Sequence, residues 1–480
     1  MNRRAASVAN RVPALVLIGA LVAGLVVGQR GEARPRPNIP TLAFAVDGPT
    51  VPSEGAVSVV WFCSEGSSTT AGRLLETILI ANLEREAIDV TVTVMRGSDH
   101  SFAVERREIA PLTQARIPVA DLAEVDEPGV VVEVLGGRAI VEHELRSADE
   151  IAVGPCSRTA SRTWYFAGGT TVLGAEEWLT LFNPFGEDAI LDVSFITAAG
   201  LKRPGATESF AVPRRTRVSL PLHEQLLREE ELAIAVEARI GRVVAERTLR
   251  FNGSDTRLGT AVSLGVTGAA SRWYIPFGDG QAGAAQTLNI ANFGKQNARV
   301  ELQIQLVGSG PLTPETIDVA GQSVQRVELA QRVPLGIPYA IDVRVVEGPD
   351  VVVEALGSWA APAPVPGVAS THGSVTVARR WAFATGRLAD SAEAVITAVN
   401  VSDRPLTVQL YAYTGGDLDS PRSAPARAIA PGEQAEFRLS EINVRADQVI
   451  VIEADGPIVV GRVIFGAGVS MSAGIPEPQA

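Results

Sequence analysis

The sequence predicts an all-β protein: a tandem array of four immunoglobulin-like antiparallel β-sandwich modules after one N-terminal transmembrane or signal helix. Three observations carry this expectation. A tryptophan-led pattern recurs four times, about 105 residues apart. Runs rich in Val and Thr alternate between apolar and polar residues. Forty-five glycines and 30 prolines punctuate those runs. Branched residues in period-two alternation favour strands, and Gly and Pro mark turns. At 480 residues, 46% hydrophobic and 20% charged, the chain is too long for one sandwich and too apolar for disorder.

The repeat can be followed residue by residue. Trp61-Phe62, Trp164-Tyr165, Trp273-Tyr274 and Trp381-Ala382 open the units, at spacings of 103, 109 and 108 residues. Each is followed by an apolar strand ending in Asn82, Asn183, Asn292 or Asn400, then a polar turn and an alternating run such as AIDVTVTV or ARVELQIQ. A second half closes each unit with a hairpin built on a Gly-containing turn. Glu142, Glu246 and Glu354 align there, and Gly461 takes that place in the fourth unit. About seven strands in roughly 105 residues fit an immunoglobulin-like sandwich. A propeller blade needs a period near 40–50 residues.

The aligned Trp is expected in the core, and the aligned Asn is expected to end a strand or bond a turn backbone. The functional alternative for the Trp set is stacking on sugar rings. Trp178 and Trp359 lie outside the aligned set and are the better candidates for exposure. The predicted spans are 1–38 for a signal anchor and linker, and 39–158, 159–268, 269–375 and 376–480 for the four modules, the last with a short tail.

Val12 to Gly28 is a 17-residue apolar run behind a short basic flank. That flank holds the N-terminus in the cytoplasm, and the run sits at the short end of the spanning range. An uncleaved signal anchor is expected, with a cleaved signal peptide as the alternative. The bulk of the chain then lies outside the cytoplasm, at the cell membrane or secreted. Net charge is -12; residues 1–36 hold six Arg against Glu32, a net +5, which leaves -17 for the rest. So acidic a body repels nucleic acid.

Only two cysteines occur, Cys63 and Cys156, and they bracket the first module. Outside the cytoplasm a disulfide is the natural reading, with two buried thiols as the alternative.

Within the second unit, Trp164, Tyr165, Phe166, Ala167, Gly169, Thr171, Trp178, Leu179, Leu181, Asn183 and Pro184 form a WYFAxGxT…WLTLxNP text. It resembles a repeat of secreted or membrane-anchored actinobacterial proteins in a domain-of-unknown-function family. The resemblance implies an extracytoplasmic β-repeat protein. It brings no catalytic residue and no ligand. The third and fourth units depart, since no Pro follows Asn292 or Asn400.

Motifs that carry chemistry are weak. His100, His143, His223 and His372 are scattered, and His143 reads as part of a solvated strand edge. Gly278 to Gly283 spells GxGxxG, but a strand pattern follows where a dinucleotide site needs a helix. The carboxylates Glu176-Glu177, Glu229-Glu230-Glu231, and Asp390 with Glu393 do not recur across units and read as solvated loop charge. LHEQLLREEELA suggests one short surface helix. The expectation is a non-catalytic cell-envelope protein without cofactor or metal. It would be a structural spacer or protein-interaction array that meets the membrane, envelope proteins or cell-wall glycan. The alternative is a cell-wall or carbohydrate-binding surface protein.

Overall fold

Alternation in the sequence becomes alternation in burial. In the strand Ile88–Met95, Ile88, Val90, Val92 and Val94 are buried while Asp89 is exposed. Ala298–Leu306 repeats the pattern nine residues long. Such strands bury one face and pair along both edges. A computed structural model describes residues 48–97, 101–415 and 421–478. The predicted signal anchor and His100 lie outside these residues. Among the described residues, no helix is long and apolar enough to cross a membrane.

The protein is all-β with several antiparallel sheets, and their order recurs. In the first repeat one sheet runs Ser58–Cys63, Gly129–Leu135, Ile88–Met95, Phe102–Ile109. The other runs Gln114–Pro118, Leu75–Asn82, Ala139–Arg146, Ile151–Pro155. In chain order these are strands 1-6-3-4 and 5-2-7-8. The second and third repeats show the same two orders. In the fourth, one long strand, Val449–Phe465, serves as both sixth and seventh and joins the two sheets.

Two expectations are corrected here. Each repeat has an eighth strand beyond the seven predicted: Ile151–Pro155, Leu258–Leu264, Gly367–His372 and Val469–Ala473. The pairing is also not that of an immunoglobulin constant domain, which places the first strand beside the second and the sixth beside the seventh. Here the first strand pairs with the sixth and the seventh with the second.

The eighth strands organise the whole. Each packs against the eighth strand of the next repeat, and that of the fourth packs against that of the first. The four repeats therefore close on themselves, and residues 46–480 form one compact unit. Small residues permit the convergence: a Cβ on Gly259 would lie 3.4 Å from the Gly367 Cα, and one on Gly367 would lie 2.7 Å from the Val469 amide nitrogen. At the closing contact, Val153 N–H donates to Ser470 Oγ at 2.8 Å, and Ser470 Oγ donates to the Val153 carbonyl at 3.2 Å. Apolar packing runs across the same boundary, where one core cluster spans the first and fourth repeats.

Candidate functional site

The aligned residues are structural. Trp61, Trp164, Trp273 and Trp381 are fully buried. Trp164 Nε1 donates to the Val243 carbonyl, Trp273 Nε1 to Val351 and Trp381 Nε1 to Ile458. These four offer a sugar ring no face. The four asparagines make one bonding pattern. Each Nδ2 donates to the carbonyl four residues on (Glu86, Glu187, Gln296 or Arg404) at 2.7–2.8 Å. Each also reaches a carbonyl at the end of the fourth strand (Ile109, Val212, Val319 or Ile429). Each Oδ1 accepts the amide two residues ahead. A buried amide that satisfies two segments at once fixes the turn between them.

The aligned carboxylates sit between repeats. Successive residues of a strand point to opposite sides. The first three seventh strands therefore offer Glu142, Glu246 or Glu354 to the preceding repeat and the next residue to the following one. Glu142 accepts from Arg462 (Nη2 to Oε1, 2.8 Å) and from the Ala384 and Thr385 amides of the fourth repeat. Glu354 accepts from Arg247 and from the Ala167 and Gly168 amides of the second. Glu246 accepts from the Glu65 amide of the first at 2.6 Å and lies 3.6 Å from His143 Nε2. Three junctions thus share one plan: a buried carboxylate, a cation one step along the neighbouring seventh strand, and backbone amides just after the neighbouring Trp.

The junction of the third and fourth repeats breaks all parts of that plan. Gly461 stands for the Glu, Ala355 for the cation, and Pro276, which has no N–H, for the first amide donor. The Phe277 ring takes the vacated place, since a Cβ on Gly461 would fall 2.3 Å from its Cδ1. Beside it lies a cavity of about 280 Å³ walled by Phe277, Trp359, Phe465 and Met471, with Asp279 and Glu436 among its polar residues. The GxGxxG loop forms one side. Gly283 there has φ of +88°, and a Cβ would meet the Ala360 carbonyl at 2.2 Å. The glycines serve a close turn between strands.

Two junctions carry strongly perturbed groups. Between the first and second repeats, burial raises Glu76 to about 7, with His143 opposing. Burial works against a charge on His143, yet Glu246 and Glu76 raise it to about 9. Glu65 is held at about 2 by Arg217 and Arg73 in spite of its burial. Between the second and third, burial raises Glu177 to about 8 against the pull of Arg247, and burial lowers His372.

Residues 148–378, nearly half of the chain, match a family described as a family of unknown function (DUF5719). That stretch runs from the last strand of the first repeat to the start of the fourth. It contains the Trp164-to-Pro184 text. No curated protein matches. Among solved structures, the chain is similar to the Thermotoga maritima 1070 structure at 19% identity and TM-score 0.20, covering 22% of this chain and 94% of that one. It is similar to a glycoside hydrolase family 32 structure from Bifidobacterium adolescentis at 9% identity and TM-score 0.15, over 88% and 96%. It is also similar to a tetra-tandem repeat in the extending region of a large adhesion protein at 10% identity and TM-score 0.09, over 88% and 100%. None of these scores bears on fold or function.

As expected, Cys63 and Cys156 form a disulfide across 93 residues. Several other predicted positions are moved by the structure. His143 is not solvated: it is 3% exposed and bonded to Glu76 Oε1 at 3.2 Å. Successive residues of its strand do point to opposite sides, but both sides are covered, one by each neighbouring repeat. Glu177 is fully buried, for the same reason. Glu229 pairs with Lys202, and Asp390 with Arg146 of the first repeat. Trp359 is 4% exposed, not free, and Trp178 lies half-buried under the Arg73 guanidinium, 4.5 Å from its ring centroid. The helix shrinks to one turn, Leu222–Gln225. Sequence reasoning missed Arg247 and Arg462. Their signal was present: each directly follows the aligned Glu or its Gly replacement.

Proposed function

We propose that this is a non-catalytic extracytoplasmic protein of the cell envelope. Its N-terminal apolar segment holds it at the membrane, and its four β-sandwich repeats form a platform for partner proteins. The observation that carries the reading is the Cys63–Cys156 disulfide, the use of both cysteines in one bridge. Such bridges persist in oxidising compartments and not in the cytosol. The apolar run from Val12 to Gly28, preceded by Arg3, Arg4 and Arg11, supports membrane attachment. A body whose first and fourth repeats touch gains faces rather than length, so a platform fits better than a spacer. The motifs that recur in every repeat are spent on turns, cores and junctions, which leaves the variable loops for partners.

The test is topology. Protease added to intact cells of the native host should degrade the protein, and non-reducing peptide mapping should recover the Cys63–Cys156 pair. A protein protected until the cells are lysed, with both thiols free to alkylation, contradicts the reading.

A further inference from the structure

The junction of the third and fourth repeats differs from the other three in a way that makes a site. At the other three, the neighbouring repeat supplies a cation to the junction carboxylate: Arg462, His143 and Arg247. At the fourth, Ala355 stands in the cation's position, and the cavity lies beside the Phe277 ring that fills the place of the Glu. The cavity still gathers carboxylates from both sides, Asp279 from the third repeat and Glu393 and Glu436 from the fourth. Asp279 is fixed in place, with Oδ1 accepting the Gln281 amide and Oδ2 accepting Trp359 Nε1, both at 2.9 Å. Those donors are neutral, so its charge is not cancelled. Arg438 stands half-exposed at the rim, with Nη2 4.0 Å from Glu436 Oε2. Burial raises the Glu436 carboxyl, and Asp279 adds to that while Arg438 and Arg427 oppose it. The wall is aromatic: Phe465 meets Trp359 edge-on at 6.0 Å between centroids.

We propose that this cavity binds a small organic cation, an aryl- or alkylamine whose apolar body lies against Trp359 and Phe465 and whose ammonium lies between Asp279 and Glu436. The ligand brings a cation to the one junction whose seventh strand carries Ala355 in the cation's position. A volume of about 280 Å³ holds roughly ten non-hydrogen atoms, on the scale of about 30 Å³ per water. Three lining carboxylates, Asp279, Glu393 and Glu436, against one lining arginine disfavour an anion. The inference stands apart from the envelope reading, because it concerns the cavity and not the compartment.

The full chain is titrated calorimetrically with 2-phenylethylamine, with neutral 2-phenylethanol, with anionic 3-phenylpropionate and with chitotetraose. The amine should bind, and binding should weaken as salt rises. Glu436→Gln should weaken it about tenfold, the loss of one close charge pair at a partly buried site. Arg438→Gln removes the competing cation and should tighten it a few-fold. Both residues lie on one side of an edge strand, and melting by circular dichroism verifies that each variant is folded. The proposal is overturned if the alcohol binds as well as the amine, if chitotetraose binds and the amine does not, if Arg438→Gln weakens the amine, or if no probe binds.

Discussion

Arg462, in the last repeat, and Glu142, in the first, form a fully buried ion pair across 320 residues of chain, with 2.8 Å between Nη2 and Oε1. The pair stands where the chain closes on itself. Breaking a buried pair by removing one partner leaves a charge without compensation, whereas replacing both by apolar groups can be neutral or better. Arg462→Leu should therefore cost about 3–5 kcal/mol, and Arg462→Leu with Glu142→Leu should recover most of that. Urea unfolding of the three proteins tests it. Equal losses for single and double variants would remove the pair from the account.

The exceptional junction makes the opposite prediction. Gly461→Glu restores the aligned residue but drives a side chain into the Phe277 ring. It should destabilise by about 1–3 kcal/mol or more, as overpacked cores do. Phe277→Ala in the same chain should make the added cost of Gly461→Glu smaller, and the double-mutant cycle measures that coupling. Additive effects would mean that the two positions do not compete for one space.

Stability should fall as pH rises through neutrality. His143 has a folded pKa of about 9 against an ordinary 6.5. Its contribution is complete below 6.5 and disappears as pH climbs through 9. Glu76 and Glu177, at about 7 and 8 against 4.5, keep protons that the unfolded chain has released, so they act in the same direction. Glu65, at about 2, contributes stability present above 4.5 and lost as pH falls through 2. Calorimetric Tm should peak between about pH 4.5 and 6.5 and decline toward pH 9. Glu177→Gln should flatten the decline. A Tm that rises from pH 6.5 to 9 contradicts the buried network.

The asparagine staples should be costly to remove and roughly equivalent. Asn292 loses two donated bonds and one accepted bond on replacement by Ala, leaving buried carbonyls unmet. A loss of about 2–4 kcal/mol is expected there, with a similar loss at Asn183. Thermal melts of both variants decide it, and values under about 0.5 kcal/mol would reduce the repeated Asn to an exposed-turn preference.

Much of this was legible in the sequence because it repeats. The Trp and Asn positions announced core and turn, and both roles follow from chemistry that a single chain displays four times. The cysteine pairing was legible from count and placement. The eighth strands were not. Their text, such as IAVGP and GVASTH, is short and rich in small residues, because both faces pack on other strands and little room is left for bulky side chains. With those strands unseen, the contact between first and last repeats could not be drawn. His143 and Glu177 were misread as solvated for that reason. The cavity left a trace that could have been used: Gly461, Ala355 and Pro276 depart together from the aligned frame, and departures that coincide at one junction point to one altered place.

The central claim is that the four repeats close on themselves rather than extend in a row. Small-angle X-ray scattering of residues 46–480 measures this directly. A closed body of that length should have a radius of gyration of about 22 Å. A serial array of four separate sandwiches would give roughly twice that value, and such a result would contradict the account.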